Sequence, residues 1–104
     1  MAALEALGLR DIPVYRMNIP DGAVANSGLA ERLAPILRNA TWVLAPFARD
    51  GHPDHDAAGA AAEAVHARVV SYPVWTWHWA RPLDPSLPWP RFRRVSLDGA
   101  VRTL

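Results

Sequence analysis

Gly51-His52-Pro53-Asp54-His55 sets two imidazoles and a carboxylate almost side by side in the chain. Neutral imidazole is a metal ligand, and near neutral pH it is also an acid or a base. His55 falls where a helix should begin, a rigid place from which to hold zinc. His52 comes just before Pro53, and a proline keeps the residue preceding it out of helical geometry. The two rings are therefore expected to point differently and to serve different roles. Asp54 is placed to accept a ring N–H from His52, which would fix its tautomer and raise its basicity. His52 and Asp54 thus form a candidate acid/base or oxyanion-stabilising pair, and His55 a candidate metal ligand. The competing account is a helix-capping loop whose histidines are incidentally exposed.

A catalytic zinc takes about three protein ligands and a water. His66 lies on the same helical face as His55 but about 16 Å along the axis, so the two cannot share a metal. It is expected to be an ordinary helix histidine. No histidine precedes His52, and the upstream carboxylates Glu5, Asp11, Asp21, Glu31 and Asp50 contain no pair at ligand spacing. The residue pattern yields one zinc ligand, His55, without a complete set.

A second concentration of chemistry lies at Trp75-Thr76-Trp77-His78-Trp79. A strand here would put Trp75, Trp77 and Trp79 on one face and Val74, Thr76 and His78 on the other. Aromatic faces suit the apolar faces of sugars, so Trp77 and His78 are candidate substrate contacts. Core or interface packing is the alternative use of such a strand.

The elements that must position these residues follow from periodicity. Residues 2–9 read as the last turns of a helix stopped by Gly8. Residues 11–19 read as a strand buried on both faces, closed by a Pro20-Asp21-Gly22 turn. Leu29, Leu33, Ile36 and Leu37 mark one face of a helix capped by Asn26 or Ser27, which Pro35 should kink or split near Ala34. Residues 41–47 read as a buried strand ending at Pro46, residues 54–68 as an alanine-rich helix, and residues 69–80 as the tryptophan strand. A proline-rich loop, a short strand over 92–95 and a helix opening at Leu97 complete the order. Alternating strands and helices predict an α/β fold with a parallel sheet, whose sites lie at the carboxyl ends of strands. The strand ending near Phe47 runs straight into the histidine corner.

Composition narrows the function classes. The chain of 104 residues is about half apolar and carries a net charge of +1. A buried core is attainable, and there is no electrostatic footprint for nucleic acid or an anionic membrane. Arg91, Arg93 and Arg94 read as a solvated tail segment. With no cysteine, disulfides, thiolate metal sites and thiol nucleophiles are excluded. No signal peptide or membrane-length apolar run is visible, so the expected location is cytoplasmic.

Asp50-Gly51-His52-Pro53-Asp54-His55, followed by Ala57-Ala58-Gly59 and Tyr72-Pro73-Val74-Trp75-Thr76-Trp77-His78-Trp79, resembles the PIG-L/LmbE family of zinc-dependent de-N-acetylases. The Pro20-Asp21-Gly22 turn and the Ala45-Pro46-Phe47 lead-in are also similar. The resemblance implies a partial Rossmann-like fold, with a mainly parallel sheet and flanking helices, around one catalytic Zn2+. It matches His55 to the zinc-ligating histidine, His52 to the histidine that stabilises the oxyanion or acts as acid, and Asp54 to the carboxylate that orients it. The family's His-Pro-Asp-Asp-type loop, which supplies the remaining ligands and the general base, has no counterpart here, so the chain is expected to be a single, truncated domain over 1–104. The implied substrate is an N-acetylated sugar, such as an N-acetylglucosaminyl conjugate. The tryptophan-rich segment resembles the bacterial branch sometimes fused to, or encoded beside, a methyltransferase, the implied partner. The alternative from another class is a non-catalytic carbohydrate-binding or assembly module that uses Trp75, Trp77 and Trp79.

Overall fold

The computed structural model describes residues 2–93. They fall into two compact units, residues 18–82 and a smaller one made of residues up to 17 and from 83 onward. The histidine corner and the tryptophan-rich segment both belong to the first.

The larger unit is built on a β-α-β crossover. Strand β1 (Val43–Pro46) leads into helix α3 (Pro53–Val65), which returns the chain to β2 (Val69–Tyr72). The strands pair in parallel, Val43 with Val69 through Pro46 with Tyr72. A parallel pair needs a long connection, and a helix is the usual one. Val43 and Ala45 alternate inward and join Ala62 of α3 in the core, with Leu37, Ala40 and Val69 packed around them. Helix α2 (Leu29–Leu37) lies against α3, and its periodic residues Leu29, Leu33, Ile36 and Leu37 are half-buried as the pattern predicts.

Alanine and glycine let α3 approach the sheet closely. A Cβ on Gly59 would stand 2.3 Å from the Pro46 carbonyl oxygen and 2.9 Å from the Ala48 nitrogen. Only a residue without a side chain fits there. At the other end of α3, His66 closes the helix and its Nε2 donates to the Ala40 carbonyl at 2.8 Å. Its Nδ1 accepts the Arg68 N–H at 3.0 Å. His66 is a structural histidine that ties α3 to the loop before β1.

Several expected elements take another form. The helix-and-sheet order is α/β, and the sheet among the described residues is a two-stranded parallel one. Residues 11–19 form no strand, and most of them are exposed. Pro13 has no N–H to give a ladder, and Asn18 adopts a left-handed φ of 54°. Helix α2 runs unbroken through Pro35; that position is exposed, so water can take the carbonyl that the missing N–H would have bonded. Its N-cap is Gly28, at φ 67°, because Val24–Asn26 forms a 3-10 turn and the Ser27 hydroxyl bonds the Val24 carbonyl. The strand expected over 69–80 ends at Tyr72. After Pro73 the chain bends into one turn of helix, α4 (Thr76–Trp79).

The smaller unit holds helix α1 (Ala2–Ala6) and a 3-10 turn at Trp89–Arg91. Leu87 is its buried apolar residue. Trp89 donates its indole N–H to the Asp84 carbonyl at 2.8 Å and meets the Phe92 ring edge-on. The strand expected over 92–95 and the helix after Leu97 lie outside the described residues, apart from Phe92 and Arg93, which are irregular.

Candidate active site at the histidine corner

Both chemically rich segments leave the sheet at its carboxyl end, one after β1 and one after β2, so the parallel pairing brings them together. Asp50 joins them. Its carboxylate is fully buried and gathers the N–H groups of Val74, Trp75 and Thr76 at 2.8–2.9 Å, together with the Thr76 hydroxyl. Three successive N–H groups turned on one carboxylate cannot also run along a strand, which explains why β2 stops. Asp50 also meets His55, with Oδ2 2.6 Å from Nδ1. Burial alone would push the Asp50 carboxyl up, but the bonds from Thr76, His55, Trp75 and Val74 outweigh it and hold the group well below the usual carboxylate range.

Next along the chain, Gly51 adopts φ 94°, and a Cβ there would come within 2.6 Å of the Trp79 indole nitrogen. That indole donates to the Asp50 carbonyl at 2.7 Å. His52 then caps α3. Its backbone is extended, and its ring Nδ1 accepts the Asp54 N–H at 3.1 Å, as a side-chain oxygen would at an ordinary N-cap. Pro53 occupies the first helical turn, where its missing N–H costs nothing. The His52 and His55 rings stack with centroids 4.4 Å apart, and the edge of Trp75 meets His52 at 5.8 Å.

Asp54 is tied to His52 by a different bond from the one expected. Its carboxylate accepts the N–H groups of Gly22 at 2.7 Å and Val24 at 3.4 Å. The Gly22 N–H is the main reason that this carboxyl lies below its ordinary range, with smaller help from Val24, His52 and His55 against some desolvation. The carboxylate therefore fastens the Pro20–Ala23 turn to the start of α3, and Asp54's backbone N–H is what orients His52. A ring that accepts at Nδ1 carries its proton on Nε2 when neutral. His52 is thus a donor at its free end.

These groups border an open depression of about 760 Å³ lined by Asp21, Gly22, Val24, Pro46, His52, Asp54, His55 and neighbours. Trp77 and His78 do not line it. Trp77 is 61% exposed, and His78 lies on Trp75 with ring centroids 4.5 Å apart. The helical turn separates the three tryptophans that a strand would have aligned. Trp75 and Trp79, four apart, share the face toward the corner.

The family model of the GlcNAc-PI de-N-acetylases (PIG-L) matches residues 1–66. The chain belongs to that family. The matched span contains β1, the whole histidine corner and α3, and ends before β2 and the tryptophan turn. Neither the curated proteins nor the solved structures yield a match.

Membership raises the question of a metal. With Nδ1 turned to Asp50, His55 offers its other ring nitrogen, the usual arrangement of a metal-binding histidine. Among the described residues, however, no three His, Asp or Glu side chains converge so as to hold an ion. His55 fits one position of a zinc set, and the described residues do not complete it.

Sequence reasoning missed Asp50 and Thr76. Asp50 stood in the motif directly before Gly51, but the donors that anchor it besides His55 lie 24 to 26 residues further on, a distance at which spacing carries no signal.

Proposed function

We propose that the corner serves hydrolysis of the N-acetyl group of a sugar conjugate of the N-acetylglucosaminyl type, with a zinc ion taken partly by His55. The observation that carries this is the pairing of two differently prepared histidines within a family of de-N-acetylases. His55 has its Nδ1 against a buried carboxylate. His52 has its Nδ1 filled by a backbone N–H, which leaves an Nε2–H. Such a donor suits the negative oxygen that develops when an amide carbonyl is attacked, and it can pass a proton toward the departing amine. Asp54 keeps His52 in that state through its backbone, and its carboxylate fixes the Asp21–Gly22 wall of the depression. Zinc, when bound, polarises a carbonyl and acidifies a water. Among the described residues no three His, Asp or Glu side chains complete a ligand set with His55.

The test is release of free amine from an N-acetylglucosaminyl conjugate by the protein carrying this chain, with and without chelator. His52→Ala and His55→Ala should each lower turnover by about 100-fold or more, and chelation should abolish it. Undiminished turnover in His55→Ala, or in chelator, would overturn the proposal.

A further inference from the structure

We propose that Asp50 is the positioning residue of the corner, holding His55 with its proton on Nδ1 and its lone pair on Nε2, and making that state depend on the tryptophan turn. The inference rests on the reading of His55 as a ligand for its purpose, but its geometry stands alone.

The two oxygens of Asp50 receive four donors other than His55: three backbone N–H groups and the Thr76 hydroxyl. Backbone N–H groups can only donate. They fill most of the acceptor positions that a carboxylate has, about four in all, and they mark the group as an acceptor. The nitrogen of His55, 2.6 Å from Oδ2, must then be the donor. A neutral ring that donates at Nδ1 has an unprotonated Nε2. His52, stacked on His55, has the opposite arrangement, because a backbone N–H rather than a carboxylate faces its Nδ1. One corner thus presents a lone pair and an N–H side by side, each set by what lies behind the ring.

Asp50 also reaches His52 indirectly. The carboxylate holds the Trp75 N–H, and the Trp75 ring borders His52. The Asp50 carbonyl takes the Trp79 indole N–H. The chain after β2 is therefore the outer wall of the corner, although it lies beyond the span that matches the family.

Long-range proton–nitrogen spectra of 15N-histidine-labelled protein, in alkaline buffer where imidazoles are neutral, read the tautomers directly. In the unsubstituted chain His55 should carry its proton on Nδ1 and His52 on Nε2. Asp50→Asn puts an amide beside a histidine nitrogen with the other N–H groups still to be satisfied, and His55 should move its proton to Nε2. Turnover should fall about 10- to 100-fold, mainly in kcat. An unsubstituted His55 with its proton on Nε2 overturns the proposal, even if Asp50→Asn fails to fold. So does a folded Asp50→Asn in which His55 keeps its proton on Nδ1. A protein without de-N-acetylase activity would refute the function proposed above and leave the tautomer result intact.

Discussion

Asp50 sits at zero exposure with no arginine paired to its charge among the described residues, and the His55 ring is its side-chain neighbour. Such a carboxylate survives burial only through its donors, and that makes it sensitive to acid. In the unfolded chain an aspartate takes up a proton near pH 4; in the folded chain Asp50 resists doing so, and Asp54 does too. Their contribution to stability is complete above about pH 4 and is lost progressively as pH falls through the depressed folded values. Urea unfolding should therefore show stability declining as pH drops below about 4, with a shallower decline in Asp50→Asn. A flat profile down to about pH 3 would contradict these bonds. At this scale the sequence was half legible. His52 and His55 announced themselves by type and spacing, and Pro53 does keep the His52 backbone extended, but the two rings stack at 24° instead of pointing differently. The bonds behind the rings are local, from Asp50 to His55 and from the Asp54 N–H to His52; what spacing did not report is that the Asp54 carboxylate turns to Gly22 and that Asp50 is anchored by donors far along the chain.

Between elements, the contact of α3 with β1 decides where the corner sits. Gly59→Ala puts a methyl group against the Pro46 carbonyl and the Ala48 backbone, atoms that cannot swing aside as a flexible side chain would. Thermal or urea unfolding should show a loss of about 1–3 kcal/mol, the usual cost of overpacking. A neutral substitution would mean that the helix stands further off the strand. Periodicity located α2, β1 and α3 within a few residues, because each buries one face and the pattern records that burial. It found β2 but failed after Tyr72, where alternation of tryptophan with polar residues mimics a strand. Pro73 is the local stop signal, since it has no N–H for a ladder, and the carboxylate that gathers the next three N–H groups lies 24 residues upstream of Val74, where no local propensity reports it. It failed also at 11–19, where apolar residues alternate without a partner strand to reward the pattern.

For the whole molecule, the span that matches the family contains the histidine corner, and among the described residues no three His, Asp or Glu side chains gather to hold a metal. One histidine with a free Nε2 gives zinc one place to bind, and a single donor binds weakly. The sequence likewise offered one candidate ligand, since no further histidine or carboxylate pair stood at a suitable spacing. In the function proposed above, His55, held from behind by Asp50, presents the metal-facing nitrogen of the corner. Titrating Zn2+ into the 15N-histidine-labelled chain tests it directly. The Nε2 signal of His55 should shift first and saturate weakly, while its Nδ1–H persists and His66, bonded at both nitrogens, stays unmoved. Zinc that shifts His66 or His78 ahead of His55, or leaves His55 unmoved at millimolar excess, would contradict the claim.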